Sequence, residues 1–171
     1  TVDNSNFTAV GAAEIAGIIN SINSSRFSAT DPATIFSGNR ARVYGAQGSQ
    51  IVIAASAYSS KGLYSDSVCG WGNCTSRTYD YNLLTAADPG TLLDLSSVQS
   101  IDTGFNDLSG DGDNDSNRQH IVVSGGATIE LSGLTQTTAP VNNNDVLQLD
   151  VNDPGSEIRL GSLVTLGTAG S

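Results

Sequence analysis

The stretch Val146-Leu-Gln-Leu-Asp-Val-Asn-Asp-Pro-Gly-Ser-Glu-Ile-Arg159 decides the fold class at the level of sequence. Leu147, Leu149 and Val151 alternate with polar residues, which is the period-two pattern of a strand with one buried and one solvated face. The Asn-Asp-Pro-Gly segment that follows has the composition of a tight turn. The stretch therefore predicts two strands joined by a turn.

Other segments of the chain share this strand-like character. Their apolar residues alternate with polar ones or form short runs rich in Val and Ile, bounded by Gly, Asn, Asp and Pro. We predict strands over 41–44, 50–55, 120–123, 127–131, 146–151 and 157–166. Residues 45–48 are interpreted as a hairpin-like loop, and 91–101 fit either a short helix or an extended segment.

One segment near the start of the chain, over 10–24, has a helical period instead. Ile15, Ile18, Ile19 and Ile22 recur at the spacing that places apolar side chains on one face of a helix. The expected fold class is therefore α+β: predominantly antiparallel β, as a sheet or sandwich, with one amphipathic helix near the N-terminus. No period of 20–50 residues is evident, so a solenoid is not expected. We expect a polar N-terminal arm over 1–9 and a single β-rich domain over 10–171.

The charge of the chain excludes some classes of partner. Seven Lys and Arg residues stand against 17 Asp and Glu residues, which gives a formal net charge of −10. A field of this sign repels phosphate backbones, so nucleic acid is not an expected partner. Apolar runs such as 51–55 are too short to span a bilayer, so we do not expect this chain to insert into a membrane. Cations are favoured, and the acidic surface equally serves solubility in saline surroundings.

The densest cluster of potential metal ligands lies over 107–117, in the sequence Asp-Leu-Ser-Gly-Asp-Gly-Asp-Asn-Asp-Ser-Asn. The candidate ligands are Asp107, Asp111, Asp113, Asp115 and Asn117. Calcium prefers oxygen ligands, and a Gly-rich loop can wrap several carboxylates around one ion. Position 12 counted from Asp111 is Val122, where an EF-hand loop requires Glu, so a helix–loop–helix is not supported. Calcium is the expected ion of this loop, and a solvated acidic turn is the alternative.

Aromatic residues concentrate between 58 and 81, around the two cysteines of the chain. Cys69 and Cys74 enclose Gly-Trp-Gly-Asn, and this spacing permits a small-loop disulfide of the kind that forms in oxidising compartments. The aromatic side chains that we expect to contact a ligand are Trp71, Tyr64, Tyr79 and Tyr81. Exposed rings on a rigid loop suit sugars or protein partners, and packing over a small satellite core is the alternative.

Groups suited to catalysis are sparse in this sequence. His120 is the single histidine and opens an apolar strand, and no nucleophile-elbow or phosphate-binding motif occurs. We therefore expect a non-enzymatic structural subunit of an extracellular or surface assembly, such as a filament, pilus-like fibre, surface layer or virion. Such a subunit would bind copies of itself, or other surface or virion proteins, through strand edges. The alternative is a calcium-dependent carbohydrate-binding or adhesion module that binds glycans with the aromatic cluster around Trp71.

Overall fold

The computed structural model describes residues 1–38, 41–60, 78–103, 116–138 and 146–168. The regular elements of these ranges are strands, and the chain winds through six coils of three strands each. The first three coils contain β1 (Val2–Asp3), β2 (Asn6–Ala9), β3 (Glu14–Ile15), β4 (Ile18–Ile22), β5 (Arg26–Ala29), β6 (Ile35–Ser37), β7 (Arg42–Gly45), β8 (Gln50–Ile53) and β9 (Ala57–Ser59). The last three contain β10 (Thr78–Ala86), β11 (Leu92–Asp94), β12 (Ser100–Asp102), β13 (Ser116–Val123), β14 (Thr128–Glu130), β15 (Gln136–Thr138), β16 (Val146–Val151), β17 (Glu157–Arg159) and β18 (Thr165–Thr168). The described ranges hold no helix that is long and apolar enough to cross a membrane.

Successive coils stack so that each strand pairs in parallel with the equivalent strand of the neighbouring coil. Three six-stranded sheets result: a first sheet in the order β1-β4-β7-β10-β13-β16, a second in the order β2-β5-β8-β11-β14-β17, and a third in the order β3-β6-β9-β12-β15-β18. The sheets form the walls of a prism with the core inside it. This architecture is a parallel β-helix, a solenoid with one coil as its repeating unit.

The predicted antiparallel sheet or sandwich is wrong, although several of the strands are placed correctly. The strand over 146–151 is confirmed, and β8, β13, β14 and β17 overlap predicted strands. The error lies in their pairing. β7 and β8, which we expected to form a hairpin across 45–48, belong to different sheets, so the loop between them is a corner of the coil. Strands that are consecutive in sequence therefore never pair with each other in the three sheets.

The predicted amphipathic helix over 10–24 is also wrong. Its Ile residues divide between β3, which contains Ile15, and β4, which contains Ile18, Ile19 and Ile22. Ile15 and Ile19 are buried because the corner between them turns the chain from the third sheet to the first, and both side chains face the core. Ile18, which a helix would have buried on the same face, is 62% exposed.

The prediction that the chain is not a solenoid is wrong, because its six coils are repeating units. These units differ in length. Equivalent residues of the second sheet are paired through every coil, from Phe7 to Phe27, Ile51, Leu93, Ile129 and Ile158. The spacing between neighbours ranges from 20 residues, between Phe7 and Phe27, to 42 residues, between Ile51 and Leu93. A search for one fixed period therefore does not detect the coils.

Columns of like residues fill the core of the coil stack. The middle residues of the second-sheet column, Ile51, Leu93 and Ile129, are completely buried. In the third sheet, the rings of Phe36 and Tyr58 stack with centroids 4.2 Å apart. The Tyr58 hydroxyl donates a hydrogen bond to the Ala41 carbonyl oxygen at 2.6 Å, and burial raises the pKa of Tyr58 above its ordinary value. Parallel pairing thus places each buried side chain on the equivalent residue of the next coil, which is the packing unit of this fold.

The corner between the first and second sheets contains a repeated turn. The sequences Asp88-Pro-Gly-Thr91 and Asp153-Pro-Gly-Ser156 occupy it in the fourth and sixth coils. Asp88 and Asp153 have positive φ angles of 72° and 74°. Their carboxylates accept hydrogen bonds from the amides of Gln47 and Gly125 in the preceding coils, each at 3.1 Å. The Thr91 and Ser156 hydroxyls accept from the amides of Gly48 and Gly126, each at 3.0 Å.

The Thr91 hydroxyl gives a direct test of this turn. Thr91→Val keeps the side-chain shape but leaves the Gly48 amide without its acceptor, which should lower the free energy of unfolding by about 1 kcal/mol. Urea unfolding followed by circular dichroism measures the change. The control is Thr128→Val, on the outer face of β14, where β-propensity favours Val. Equal stability of Thr91→Val and wild type would contradict the role of the turn.

Candidate functional sites

The three longest connections of the chain occupy equivalent places in three successive coils. They join β9 to β10, β12 to β13 and β15 to β16, so each runs from the third sheet to the first. The strands at which they end, β10, β13 and β16, are neighbours in the first sheet. Insertions in solenoids commonly gather on one face in this way, and such faces often bind ligands.

Most of the site residues predicted from sequence belong to two of these connections. Tyr64, Trp71, Cys69 and Cys74 lie in 61–77, and Asp107, Asp111, Asp113 and Asp115 lie in 104–115, so all eight fall outside the described residues. The remaining three are in strands. Tyr79 of β10 and Asn117 of β13 are direct partners in the parallel pairing of these strands. The predicted aromatic and acidic segments are thus anchored next to each other at their C-terminal ends.

Tyr81 is the predicted site residue whose surroundings are best defined. It lies in β10 opposite Gln119 of β13, and its side chain is half-buried. The guanidinium carbon of Arg42 lies 4.5 Å from the centroid of the Tyr81 ring, which is a cation–π distance. The ring therefore packs against a neighbouring coil, as the alternative interpretation of the aromatic cluster expects for some of its members.

A polar pair on the first sheet escaped the sequence analysis. His120 of β13 lies opposite Gln148 of β16, and Asp150 follows two residues later on the same side of that strand. The Nδ1 atom of His120 is 2.7 Å from Oδ2 of Asp150, and Gln148 donates a hydrogen bond to the other carboxylate oxygen. Burial raises the pKa of Asp150, but the hydrogen bonds from His120 and Gln148 act oppositely and leave it below its ordinary value. Only the pairing of β13 with β16 brings these groups together.

Asp150 should make the stability of the fold depend on pH. Because the pKa of Asp150 is lowered in the folded state, its contribution is present above the ordinary value of 3.8 and is lost as the pH falls through the folded value. Asp150→Asn should lower the Tm by roughly 2 °C at neutral pH, since the pair is partly exposed, and should have no effect in strong acid. Thermal melts from acid to neutral pH test this. The effect should become smaller in a His120→Phe background, where the hydrogen bond from Gln148 remains, and an effect that is the same at every pH would contradict the assignment.

The described stack begins with the coil of β1, β2 and β3. These strands are the outermost of their sheets, so one edge of each has no strand partner among the described residues. Phe7 stacks on Phe27 with ring centroids 5.0 Å apart, yet Phe7 remains 48% exposed. A largely apolar cavity of about 250 Å³ lies beside this coil. Its lining includes Phe7, Ala9, Ala13, Ile15, Ile19 and Phe27, together with the charged residue Glu14.

The C-terminal end, formed by β16, β17 and β18, has the same character. These strands are the outermost on the opposite side of the three sheets. Val151 is 54% exposed, and several larger apolar side chains are only partly buried. They are Leu147, Leu149, Ile158, Leu160 and Leu163. Both outermost coils of the described stack therefore have strand edges that lie beside apolar side chains.

No known protein family matches the chain, and no curated protein or solved structure matches it either. Within the described residues, no group of three or more His, Cys, Asp or Glu side chains is arranged to hold a metal ion. The predicted aspartate ligands fall outside those residues, so the expectation of calcium stays a prediction.

Proposed function

We propose that this chain is a non-enzymatic structural subunit of an extracellular or surface assembly, in which copies associate through strand edges. The observation that carries the proposal is a set of strand edges beside apolar side chains. Among the described residues, β1–β3 and β16–β18 each have one edge without a strand partner, and such an edge can pair with a strand of another chain. Apolar side chains beside those edges are exposed or only partly buried, and their burial would supply the hydrophobic contribution to such an interface.

The composition of the chain supports the same proposal. A chain with one Lys and a net charge of −10 does not suit binding to nucleic acid, so we expect association to depend on strand pairing and apolar contact. Like charges also oppose close approach of two copies at low ionic strength. Salt screens this repulsion, so association should strengthen as the salt concentration rises. A disulfide between Cys69 and Cys74 would fit an extracellular location.

A charge in the first coil of the described stack should prevent association. Phe7→Glu places a carboxylate at an edge strand beside the apolar cavity, so its burial in an interface would be costly. Sedimentation velocity and negative-stain electron microscopy over a range of protein and salt concentrations should show assemblies for wild type and monomers for this variant. Ile35→Glu is the matched control, because Ile35 is 57% exposed but belongs to the second coil. Monomeric wild type under every condition would rule the proposal out.

A second candidate function is a calcium-dependent carbohydrate-binding or adhesion module. The observation in its favour is the pairing of Tyr79 with Asn117, because it anchors the aromatic and aspartate segments side by side. In this proposal the aspartate loop binds calcium and orders the surface, and the aromatic residues around Trp71 stack on sugar rings.

Calcium binding predicts a change in thermal stability. A cation that binds only the folded state raises the Tm according to its concentration relative to Kd, so addition of a chelator should lower the Tm. Differential scanning fluorimetry with calcium or with chelator measures this, with an Asp111→Asn and Asp113→Asn double variant as the control. Identical melts in calcium and in chelator would remove calcium from the proposal, and a sugar-induced change in Trp71 fluorescence would support glycan binding.

A further inference from the structure

We infer that a cavity on the outer face of the third sheet, formed by residues of the second and third coils, binds one ring of a neutral sugar. The cavity has a volume of about 240 Å³. Its lining differs from the aromatic cluster around Trp71, and binding there does not require self-association of the chain. Four hydroxyl-bearing residues line it, namely Thr34, Ser37, Ser56 and Ser59, together with Ile35, Phe36 and Ala57.

Strand pairing builds this cavity from two segments of the chain, 34–37 with β6 and 56–59 with β9. The two strands pair in parallel, with Phe36 opposite Tyr58 and Ser37 opposite Ser59. Because side chains alternate along a strand, the Phe36 and Tyr58 rings stack in the core, while the two serines lie on the outer face. Packing of the rings therefore holds the serines in a fixed arrangement on the surface.

Thr34 contributes a buried hydroxyl to the cavity. Thr34 is only 5% exposed, and its hydroxyl oxygen has no hydrogen-bond partner among the described residues. Its backbone amide is satisfied, because it donates to the Asp31 carbonyl oxygen at 2.9 Å. A buried hydroxyl without a partner is costly, and the large majority of such groups in native proteins have one. A hydroxyl of a ligand in this cavity would supply the missing hydrogen bond.

The mixture of groups in the lining matches the chemistry of a sugar. Each Ser or Thr hydroxyl can both donate and accept a hydrogen bond, which suits a ligand that carries hydroxyls itself. Ile35, which is 57% exposed, adds apolar carbon beside them. A sugar ring has hydroxyls at its rim and C–H groups on its faces. The cavity is smaller than the ~300–1,000 Å³ sites of drug-sized ligands, so it suits a single ring.

The charges around the cavity disfavour an ionic ligand. Neither an acidic nor a basic side chain is among the described residues that line it. An anion would therefore find no cation to pair with, and it would lie close to Glu14, which is the direct strand partner of Ile35. A cation would lose hydration without gaining a carboxylate in the lining. A neutral ligand has neither cost.

Binding of simple sugars tests the inference directly. Saturation-transfer difference NMR of the purified chain is recorded with the methyl glycosides of glucose, galactose, mannose and N-acetylglucosamine, one at a time. At least one glycoside should receive saturation from the wild-type protein, and its titration gives a Kd. Thr34→Val keeps the side-chain shape but removes the hydroxyl, so it should raise that Kd about tenfold.

The stability of Thr34→Val separates a ligand-binding role from a structural one. Because the wild-type hydroxyl has no partner among the described residues, its removal should leave the Tm of the sugar-free protein unchanged or slightly higher. Thr91→Val is the contrast, because it removes the acceptor of the Gly48 amide and should lower the Tm. Thr128→Val, on the outer face of β14, is the matched control for binding and should keep the wild-type Kd.

Absence of saturation transfer to every glycoside would overturn the inference. An unchanged Kd in Thr34→Val would overturn it as well, because the sugar would then bind elsewhere on the chain. The same holds for a lower Tm of Thr34→Val without sugar, which would show that the hydroxyl bonds within the fold. None of these results depends on whether the chain assembles, so this inference and the proposed function can fail independently.

Discussion

Parallel hydrogen bonding between coils is the constraint on which the rest of this structure depends. A parallel ladder aligns each residue with one residue above and one below, and inward and outward positions alternate along every strand. The side chain at an inward position must therefore fit into the apolar core in every coil. The column from Phe27 through Ile51 and Leu93 to Ile129 satisfies this requirement with apolar residues alone.

The same constraint explains where the chain can vary. Extra residues within a strand would shift the register of all following columns, so differences in coil length must be absorbed between strands. The three long connections all join the third sheet to the first. The corner between the first and second sheets has short turns instead, and these contain Asp88 and Asp153.

Part of this fold could be predicted from the sequence. Alternation located strands such as 146–151 because local burial of one face leaves a period of two in the sequence. Partner choice is not local, since Ile51 pairs with Phe27 and Leu93 at separations of 24 and 42 residues. The spacing of Ile15 and Ile19 imitated a helix because a corner lies between them. One signal was present and was missed: Asp88-Pro-Gly-Thr91 recurs as Asp153-Pro-Gly-Ser156 and marks equivalent corners two coils apart. The His120–Asp150 pair follows only from strand pairing, so no motif could have revealed it.

The central claim is that parallel pairing stacks the coils in one register, and the most direct measurement of it is a distance along the stack. Spin labels at Asn6→Cys and Glu157→Cys, in a background with both native cysteines replaced by Ser, report this distance by pulsed electron paramagnetic resonance. The two positions belong to one column and are five coil steps apart, so the ~4.8 Å spacing of paired strands predicts a separation of roughly 24 Å between their Cα atoms. A clearly shorter or longer distance would show that the coils do not stack in the register described.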